Sequence, residues 1–296
     1  HMATLYATAA VMAHTKGQWH GTLMLIGQPA EETVSGARAM VRDGLFTRFP
    51  KPSYALGLHV YETSLPAGKV GYSEGFFYAN SDSLDITIFG KGGHGARPET
   101  SIDPVLIAAR TVVTLQEIIS RELAPGTRAV VTVGQMHAGL KNNIIPDTAT
   151  LGLSVRSYDA ETRKHLLAAI ERIAKAEAQA AGATRMPHIE DPEQTNAVYN
   201  DPKLAREMRP VLENALGKEN VTDLAPFMVS EDFSVYGEQG VPSLFITLGG
   251  AAPEKWAVAQ GNDLPSNHSS LFQVDVDPAL RTGVEAEVAM LKALLK

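Results

Sequence analysis

The sequence predicts an α/β protein in which a second domain, of ferredoxin-like α+β type, interrupts the first. Three observations support this fold class. The chain has 296 residues, which exceeds the usual size of a single hydrophobic core. Its two ends alternate helical and strand patterns, and its middle has the order β-α-β-β-α-β of a ferredoxin-like unit. We therefore assign residues 1–80 and 193–296 to the first domain and residues 81–192 to the inserted one.

The elements of the first domain are predicted from apolar periodicity and from the residues that end each segment. Asp201-Pro202 indicates a helix start, because aspartate caps a first turn and proline is favoured at the first helical position. Gly44 and the pair Gly249-Gly250 are expected to end the elements that precede them. The predicted elements are a helix at the start of the chain, strands at residues 22–26, 53–60 and 241–248, and helices at residues 35–42, 201–215 and 278–295.

The inserted domain begins with an alternating segment, residues 83–90, of the kind that forms a half-buried strand. Asp103-Pro104 then indicates the start of a helix that extends to about residue 123. The remaining predicted elements are strands at residues 129–135, 149–157 and 185–190 and a helix at residues 160–180. Because compact domains tolerate insertion at a loop tip, we expect this unit to interrupt the first domain.

The composition limits the classes of partner. Hydrophobic residues make up 44% and charged residues 20% of the chain, as expected for a globular protein. The 33 acidic residues outnumber the 26 basic ones and no basic block is present, so we expect no nucleic-acid partner. No apolar run approaches the length of a membrane span, so we expect no membrane partner. Cysteine is absent, which excludes disulfides and thiolate ligands within these residues.

Two adjacent carboxylates, Glu31 and Glu32, follow an apolar run and a Gly/Pro turn at what we interpret as a strand-to-helix junction. Two ionised carboxylates this close repel each other, and burial would raise that cost. A bound cation removes the conflict, so the pair suggests one acid as a metal ligand and the other as a general base on water. The alternative is two solvated acids at a helix start, which the helix dipole favours.

Three of the nine histidines are candidates for function. His59 ends a predicted strand, at the carboxyl edge where open α/β sheets bind ligands. His268 lies in a polar loop, and His94 follows the first strand of the inserted domain. Taken singly, each is better explained as structural. Together with Glu32, however, His59 and His268 supply the imidazole and carboxylate ligands of a zinc or manganese site.

Six ordered segments resemble those of the dinuclear metallohydrolases related to carboxypeptidase and aminoacylase. They are Gly-Gln-Pro-Ala-Glu-Glu, Gly-Leu-His-Val, Gly-Lys-Gly-Gly-His-Gly-Ala-Arg-Pro, Asn143-Ile-Ile-Pro146, Ser-Glu-Asp-Phe and Asn-His-Ser-Ser-Leu-Phe. The chain is most similar to the amidohydrolases that cleave N-acyl amino acids, such as hippurate hydrolase and the auxin-conjugate hydrolases. His59 indicates this branch, because aminoacylases and dipeptidases usually have Asp or Glu there. The resemblance implies a metallopeptidase-type catalytic domain with a mixed sheet and an inserted dimerisation, or lid, domain.

The resemblance also implies functions for the candidate residues. It makes Glu31 the general base, Glu32, His59 and His268 metal ligands, His94 a stabiliser of the developing oxyanion, and Asn143 and Arg156 clamps for the substrate. We separately interpret Glu231 or Asp232 as a support for the ligands. For Glu231 and Asp232, the capping of a helix is an equal alternative. For Arg156, the alternative is an ordinary surface charge on a strand.

One upstream segment of the resembling enzymes is missing from this sequence. They carry Cys-Gly-His-Asp-x-His, whose Cys and first His complete a site for two divalent ions, with zinc, manganese and cobalt as the candidates. His1 resembles the last His of that segment, with a cloning remnant as the alternative. Because three ligands remain where relatives use five, we expect residues 1–296 alone to bind at most one metal ion, weakly, and to show no hydrolase activity.

The sequence therefore predicts an enzyme that hydrolyses the amide bond of N-acyl amino acids with two divalent metal ions. The alternatives are a metallo-dipeptidase or carboxypeptidase of the same family, and a non-catalytic homologue or fragment that serves only for dimerisation. The expected partners are a small-molecule substrate and a second copy of the chain, joined through the inserted domain. A cytoplasmic location is favoured, and a periplasmic or secreted one remains an alternative because the N-terminal segment is missing.

Overall fold

The computed structural model describes residues 1–259 and 263–296. In chain order, the helices are α1 (Met2–His14), α2 (Gly36–Arg42), α3 (Leu45–Arg48), α4 (Pro104–Glu117), α5 (Ala160–Ala180), α6 (Pro202–Leu216), α7 (Ser234–Glu238), α8 (Pro253–Ala259) and α9 (Val276–Leu294). The strands are β1 (Ala55–Pro66), β2 (Val70–Tyr72), β3 (Gly75–Tyr78), β4 (Asn80–Phe89), β5 (Gly93–His94), β6 (Val130–Ala138), β7 (Ile144–Ile145), β8 (Thr148–Ser157), β9 (His188–Thr195), β10 (Val198–Asn200), β11 (Val221–Asp223) and β12 (Ser243–Ala251). Within the described ranges, no helix has the length and apolar character needed to cross a bilayer.

The chain divides into two compact units. The first comprises His1–Phe77, Val198–Phe227 and Asp232–Lys296, and the second comprises Tyr78–Ala197 and Met228–Glu231. The second unit thus lies, along the sequence, between segments of the first.

A four-stranded mixed sheet forms the centre of the first unit, in the order β1-β12-β2-β11. β1 and β12 run parallel, in a register that pairs Ala55 with Ser243 and Tyr61 with Gly249, whereas β12 and β2 run antiparallel. Every residue of β12 is buried, in agreement with its run of apolar and small residues. The predicted α/β class with a mixed sheet is therefore confirmed.

Helices α1 and α6 both pack against the C-terminal helix α9. The start of α6 follows from its sequence, because the Asp201 side chain accepts a hydrogen bond of 2.7 Å from the Leu204 amide and Pro202 occupies the first helical position. Gly283 allows the close approach of α9, since a Cβ atom there would lie 3.1 Å from both Leu248 and Thr4.

Two predictions for the first unit were wrong in detail. Residues 22–26 form no strand, and Leu25 is 45% exposed. A strand requires a neighbouring strand for its hydrogen-bond ladder, and in the described ranges none pairs with this apolar segment. The strand that contains His59 also continues to Pro66, and its parallel pairing reaches Tyr61, so His59 is not its last residue.

The second unit contains an antiparallel sheet in the order β6-β8-β4-β9. Together with α4 and α5, these strands follow the order β-α-β-β-α-β along the chain. Both helices pack on one face of the sheet, around the buried residues Ile86, Ile107, Leu151 and Ile170. The other face carries polar side chains, among them the exposed Asp85.

A buried ion pair joins β4 to α5 within the second unit. The Nε atom of Arg163 donates hydrogen bonds of 3.0 and 2.9 Å to the two oxygens of Asp82, whose side chain is fully buried. Arg163 also donates to the side chains of Asn196 and Gln194. Burial, followed by the hydrogen bond to Asp82 and the charge of Asp82, raises the pKa of Asp191 to about 7, and the Arg163 charge opposes the shift. Asp191 therefore keeps its proton to a higher pH than an exposed aspartate does.

The stability of the protein should depend on pH through Asp191. Its pKa is raised from an ordinary 3.8 to about 7, so the folded state binds a proton that the unfolded chain has released. The resulting stabilisation is complete below about pH 4 and is lost as the pH rises through 7. In Asp191→Asn the neutral amide cannot titrate, so the difference in unfolding free energy between wild type and variant should change over this range. Urea unfolding at a series of pH values measures it.

The matched control for this prediction is Asp85→Asn, which removes an exposed carboxylate of β4. The difference in unfolding free energy between Asp85→Asn and wild type should stay nearly constant with pH. Equal pH dependence of wild type and Asp191→Asn would contradict the raised pKa of Asp191.

Candidate metal centre

The two adjacent glutamates lie in a short turn between residues with unusual backbone angles. Glu31 and Glu32 begin a single 3₁₀ turn that ends at Thr33. Ala30 before the turn and Val34 after it have left-handed φ angles of 54° and 51°. Because such angles are strained for residues with a Cβ atom, the surrounding structure must hold this turn in place.

Glu31 is half-buried and faces the fully buried Asp232. The two residues offer carboxylate oxygens within 4.8 Å of each other. Burial, followed by the charges of Asp232 and Glu32, raises the pKa of Glu31 to about 7, and the charge of His268 opposes the shift. In the absence of a cation, these neighbours therefore favour a protonated Glu31.

Asp232 is held by the segments that flank the glutamate turn. One oxygen accepts a hydrogen bond from the side-chain amide of Gln28, and the other accepts one of 2.9 Å from the Ala37 amide at the start of α2. The side-chain oxygen Oε1 of Gln28 in turn accepts a hydrogen bond of 2.8 Å from the Tyr236 hydroxyl. The Asp232 side chain does not cap α7, which begins two residues later without a side-chain cap.

Glu32 and His268 form the exposed side of the cluster. The Nδ1 atom of His268 lies 3.5 Å from Oε2 of Glu32, and both side chains are more than 70% exposed. His268 has a left-handed φ angle of 70° and lies in a turn of the 263–275 loop. Two potential ligands from distant parts of the sequence therefore meet at one point.

His59 projects from β1 beside β12, where it pairs in register with Thr247. Its Nδ1 atom lies 3.0 Å from the carbonyl oxygen of Val60. A carbonyl can only accept, so Nδ1 carries the proton and the lone pair belongs to Nε2. Burial lowers the pKa of His59 to about 4, opposed by the hydrogen bond to Val60 and reinforced by the charges of the chain terminus and His268.

These donors fit a divalent cation. Near neutral pH, His59 is neutral, with Nε2 as its unprotonated nitrogen, and Glu32 and His268 add a carboxylate and an exposed imidazole. Neutral imidazole nitrogens and carboxylate oxygens are the ligands that zinc and manganese accept when thiolates are absent. The buried pair Glu31 and Asp232 also lies where a positive charge would relieve its repulsion.

Four predicted residues belong to the second unit, namely His94, Asn143, Arg156 and Glu231. His94 lies on β5, and Asn143 lies in the turn directly before its partner strand β7, where the Gly95 amide donates to the Asn143 carbonyl at 2.9 Å. The His94 side chain is exposed, and its Nδ1 atom accepts a hydrogen bond of 3.0 Å from the Ala96 amide. Arg156 is half-buried on β8 and donates to the Met228 carbonyl at 3.0 Å, and burial lowers its pKa.

The remaining predicted residue, Glu231, is buried directly before Asp232 in the sequence. Sequence reasoning missed Gln28 and Tyr236, which hold Asp232 through side-chain hydrogen bonds. Gln28 lies in the Gly/Pro segment directly before the glutamates, and this proximity is the only feature of the sequence that indicates a function for it. Tyr236 has no such feature, because nothing local indicates a hydroxyl contact with a residue 208 positions away.

An α/β unit with this cluster of carboxylates and imidazoles defines the chain as a metallohydrolase-like protein. The sequence pattern of Peptidase family M20/M25/M40 matches residues 1–263. The chain therefore belongs to this peptidase family.

Individual relatives agree with this assignment. IAA-amino acid hydrolase ILR1-like 2 of Arabidopsis thaliana is 31% identical over 298 residues, which cover 100% of this chain and 64% of the relative. Hippurate hydrolase of Campylobacter jejuni is 37% identical over 246 residues, which cover 80% of this chain and 61% of the relative. A solved Bacillus subtilis structure, described as a dinuclear metal-binding peptidase of the M20 family, matches with a TM-score of 0.75 and 25% identity. The match covers 100% of this chain and 71% of the Bacillus chain. The chain thus spans less than two thirds of the length of the two hydrolases.

Proposed function

We propose that the protein to which this chain belongs hydrolyses the amide bond of N-acyl amino acids with the help of divalent metal ions. The observation that carries the proposal is the convergence of Glu31, Glu32, His59 and His268 within one unit. Membership of the peptidase family and the names of the two hydrolase relatives support an amide bond next to an amino acid as the target.

Glu32, His59 and His268 are the residues that would hold the metal. We propose two ions, by analogy with the dinuclear Bacillus neighbour, and zinc, manganese or cobalt as their identity. When bound, such ions polarise a scissile carbonyl and lower the pKa of water. The hydrogen bond from His59 to Val60 keeps the His59 ring in the tautomer that this function requires.

Glu31 is the proposed general base. Its carboxylate is half-buried, borders the proposed ligands and is not itself needed as a ligand. It would accept a proton from the attacking water and return that proton to the leaving nitrogen of the amide. Gln28 and the Ala37 amide fix the Asp232 carboxyl group next to Glu31.

The second unit would bind the substrate. His94 is the proposed donor to the developing oxyanion, because an exposed imidazole can present an N–H group. Asn143 and Arg156 are the proposed clamps for the substrate carboxylate. Arg156 gives one N–H to Met228, and its planar guanidinium has further donors that match a carboxylate.

A substrate panel tests the proposed function in the full-length, metal-loaded protein. N-acetyl and N-benzoyl amino acids with a free carboxylate should be hydrolysed, and the same compounds with an amidated carboxyl group should react much more slowly. Absence of hydrolysis of every N-acyl amino acid would refute the proposal and favour a non-catalytic function.

A peptidase is the second candidate function, because the Bacillus neighbour is described as a peptidase. The same panel separates the two when it includes dipeptides with a free amino group. Faster hydrolysis of the dipeptides than of the N-acyl amino acids would favour a dipeptidase or carboxypeptidase.

We also propose that the inserted unit forms a homodimer. β6 is an edge strand of its sheet, and α4 exposes a stripe of apolar side chains that includes Leu106 (49% exposed) and Val113 (70% exposed). Edge strands and exposed apolar stripes are typical sites of self-association.

The homodimer should dissociate when the stripe on α4 carries charge. Val113→Glu is expected to lower the sedimentation coefficient to that of a monomer at micromolar concentration, because an unpaired carboxylate would be buried in the interface. The matched control is Val258→Glu, which changes an 89% exposed valine of α8 in the first unit. A wild-type monomer at all concentrations would refute the dimer.

A further inference from the structure

The backbone of one residue, Val60, contacts both candidate histidine segments. Its carbonyl oxygen accepts a hydrogen bond of 3.0 Å from Nδ1 of His59 and a second one of 3.1 Å from Nδ2 of Asn267. Its N–H group donates to Nε2 of His1 at 3.0 Å. Asn267 directly precedes His268, although it lies 207 positions from Val60 in the sequence. A single carbonyl oxygen thus links the two histidines that would bind metal.

The His268 side chain has little packing of its own to fix its position. It is 72% exposed, and its backbone φ angle of 70° is uncommon for a residue with a Cβ atom. The turn around it contains two backbone hydrogen bonds, from the Ser269 amide to Ser266 and from the Phe272 amide to Ser269, and one from the Leu271 amide to the Ser269 hydroxyl. These bonds shape the turn but attach it to nothing outside the loop.

Two anchors tie the loop to β1. One is the Asn267 bond to Val60, and the other is a hydrogen bond from the Gln273 amide to the buried Glu62. The second anchor lies five residues beyond His268, with an intervening turn. The anchor that adjoins His268 is therefore Asn267.

We propose that Asn267 is a positioning residue that sets the distance and orientation between His59 and His268 by binding the carbonyl that also orients His59. The inference rests on the proposed metal centre. Loss of the Asn267 bond frees the loop beside His268 and leaves the Val60 carbonyl with one donor fewer. Both changes weaken metal binding without touching a metal ligand.

The test is metal binding by the full-length protein with Asn267→Ala and Asn267→Leu. Leucine keeps the approximate size of asparagine but lacks the donor, which separates the hydrogen bond from packing. Competition with a chromogenic chelator, with Zn²⁺ as the probe, should show affinity reduced about 10- to 100-fold in both variants, as for other partners that orient ligands. The visible spectrum of the Co²⁺ form should also change, because it reports ligand geometry.

The matched control is Asn220→Ala. The Asn220 side chain likewise donates to a backbone carbonyl of the first unit, that of Leu216 at 2.7 Å, but contacts no candidate ligand. The Asn220→Ala substitution should leave the Zn²⁺ affinity unchanged. It should lower the melting temperature of the metal-free protein about as much as Asn267→Ala does.

Zn²⁺ affinity equal to wild type in both Asn267 variants would overturn the inference and leave the proposed function standing. A wild-type protein that binds no divalent ion would overturn both, since a positioning residue requires a ligand to position.

Discussion

Replacement of Glu31 by glutamine should reduce amide hydrolysis at least about 100-fold, the usual contribution of a general base. The substitution keeps the size of the side chain but removes its ability to accept a proton from water. Because Glu32, His59 and His268 are unchanged, the metal content should stay close to that of wild type. The rate constant and the metal content are therefore measured on the same preparation of the full-length protein.

The control for this prediction is Glu254→Gln, which changes an exposed glutamate of α8 to the same amide. It should leave turnover unchanged. Full activity in metal-loaded Glu31→Gln would refute the assignment of Glu31. A loss of activity together with the loss of metal would instead make Glu31 a ligand.

Replacement of Gly36 by alanine should destabilise the protein and distort the glutamate turn. A Cβ atom at position 36 would lie 1.6 Å from the Pro29 carbonyl oxygen, so the backbone of residues 28–30 must move. Overpacking of this kind costs about 3 kcal/mol or more. Helix propensity acts in the opposite direction, because alanine is favoured over glycine in α2 by only about 1 kcal/mol. Urea unfolding should therefore show a net loss of stability.

The neighbouring Gly27 provides the control for the Gly36 substitution. It precedes the glutamate turn by four residues, has no left-handed φ angle, and a Cβ atom added there would meet nothing within 4 Å. Gly27→Ala should change the unfolding free energy by less than about 0.5 kcal/mol. If Gly36→Ala and Gly27→Ala have the same unfolding free energy, the glutamate turn is not fixed by the close packing of α2.

Most of the fold could be predicted because its longer elements carry strong local patterns. The β4 strand alternates, α5 has helical periodicity, and α6 begins with an Asp-Pro cap, so each was located to within a few residues. The apolar segment 22–26 was wrongly predicted as a strand, because its composition cannot reveal whether another strand pairs with it. The short strands β2, β3, β10 and β11 were also missed, since three or four residues give no period.

The candidate site was only partly predictable, for a related physical reason. Glu31 and Glu32 stand out because two adjacent acids follow an apolar run, and His59 because it ends the apolar run of a predicted strand. Their partners come from distant positions: Gln28 contacts Asp232 at a separation of 204 residues, and Asn267 contacts Val60 at 207. Such pairs depend on the tertiary fold, and a single sequence contains no local signal for them.

The central claim is that this cluster supports metal-dependent amide hydrolysis. Its most direct test is the rate of hydrolysis of an N-acyl amino acid by the full-length protein before chelation, after complete removal of metal, and after addition of Zn²⁺, Mn²⁺ or Co²⁺. We predict that activity disappears with the metal and returns with at least one of the three ions, and that it returns in none of them for His59→Ala. Activity that persists in the metal-free protein, or that is restored equally in His59→Ala, would contradict the account.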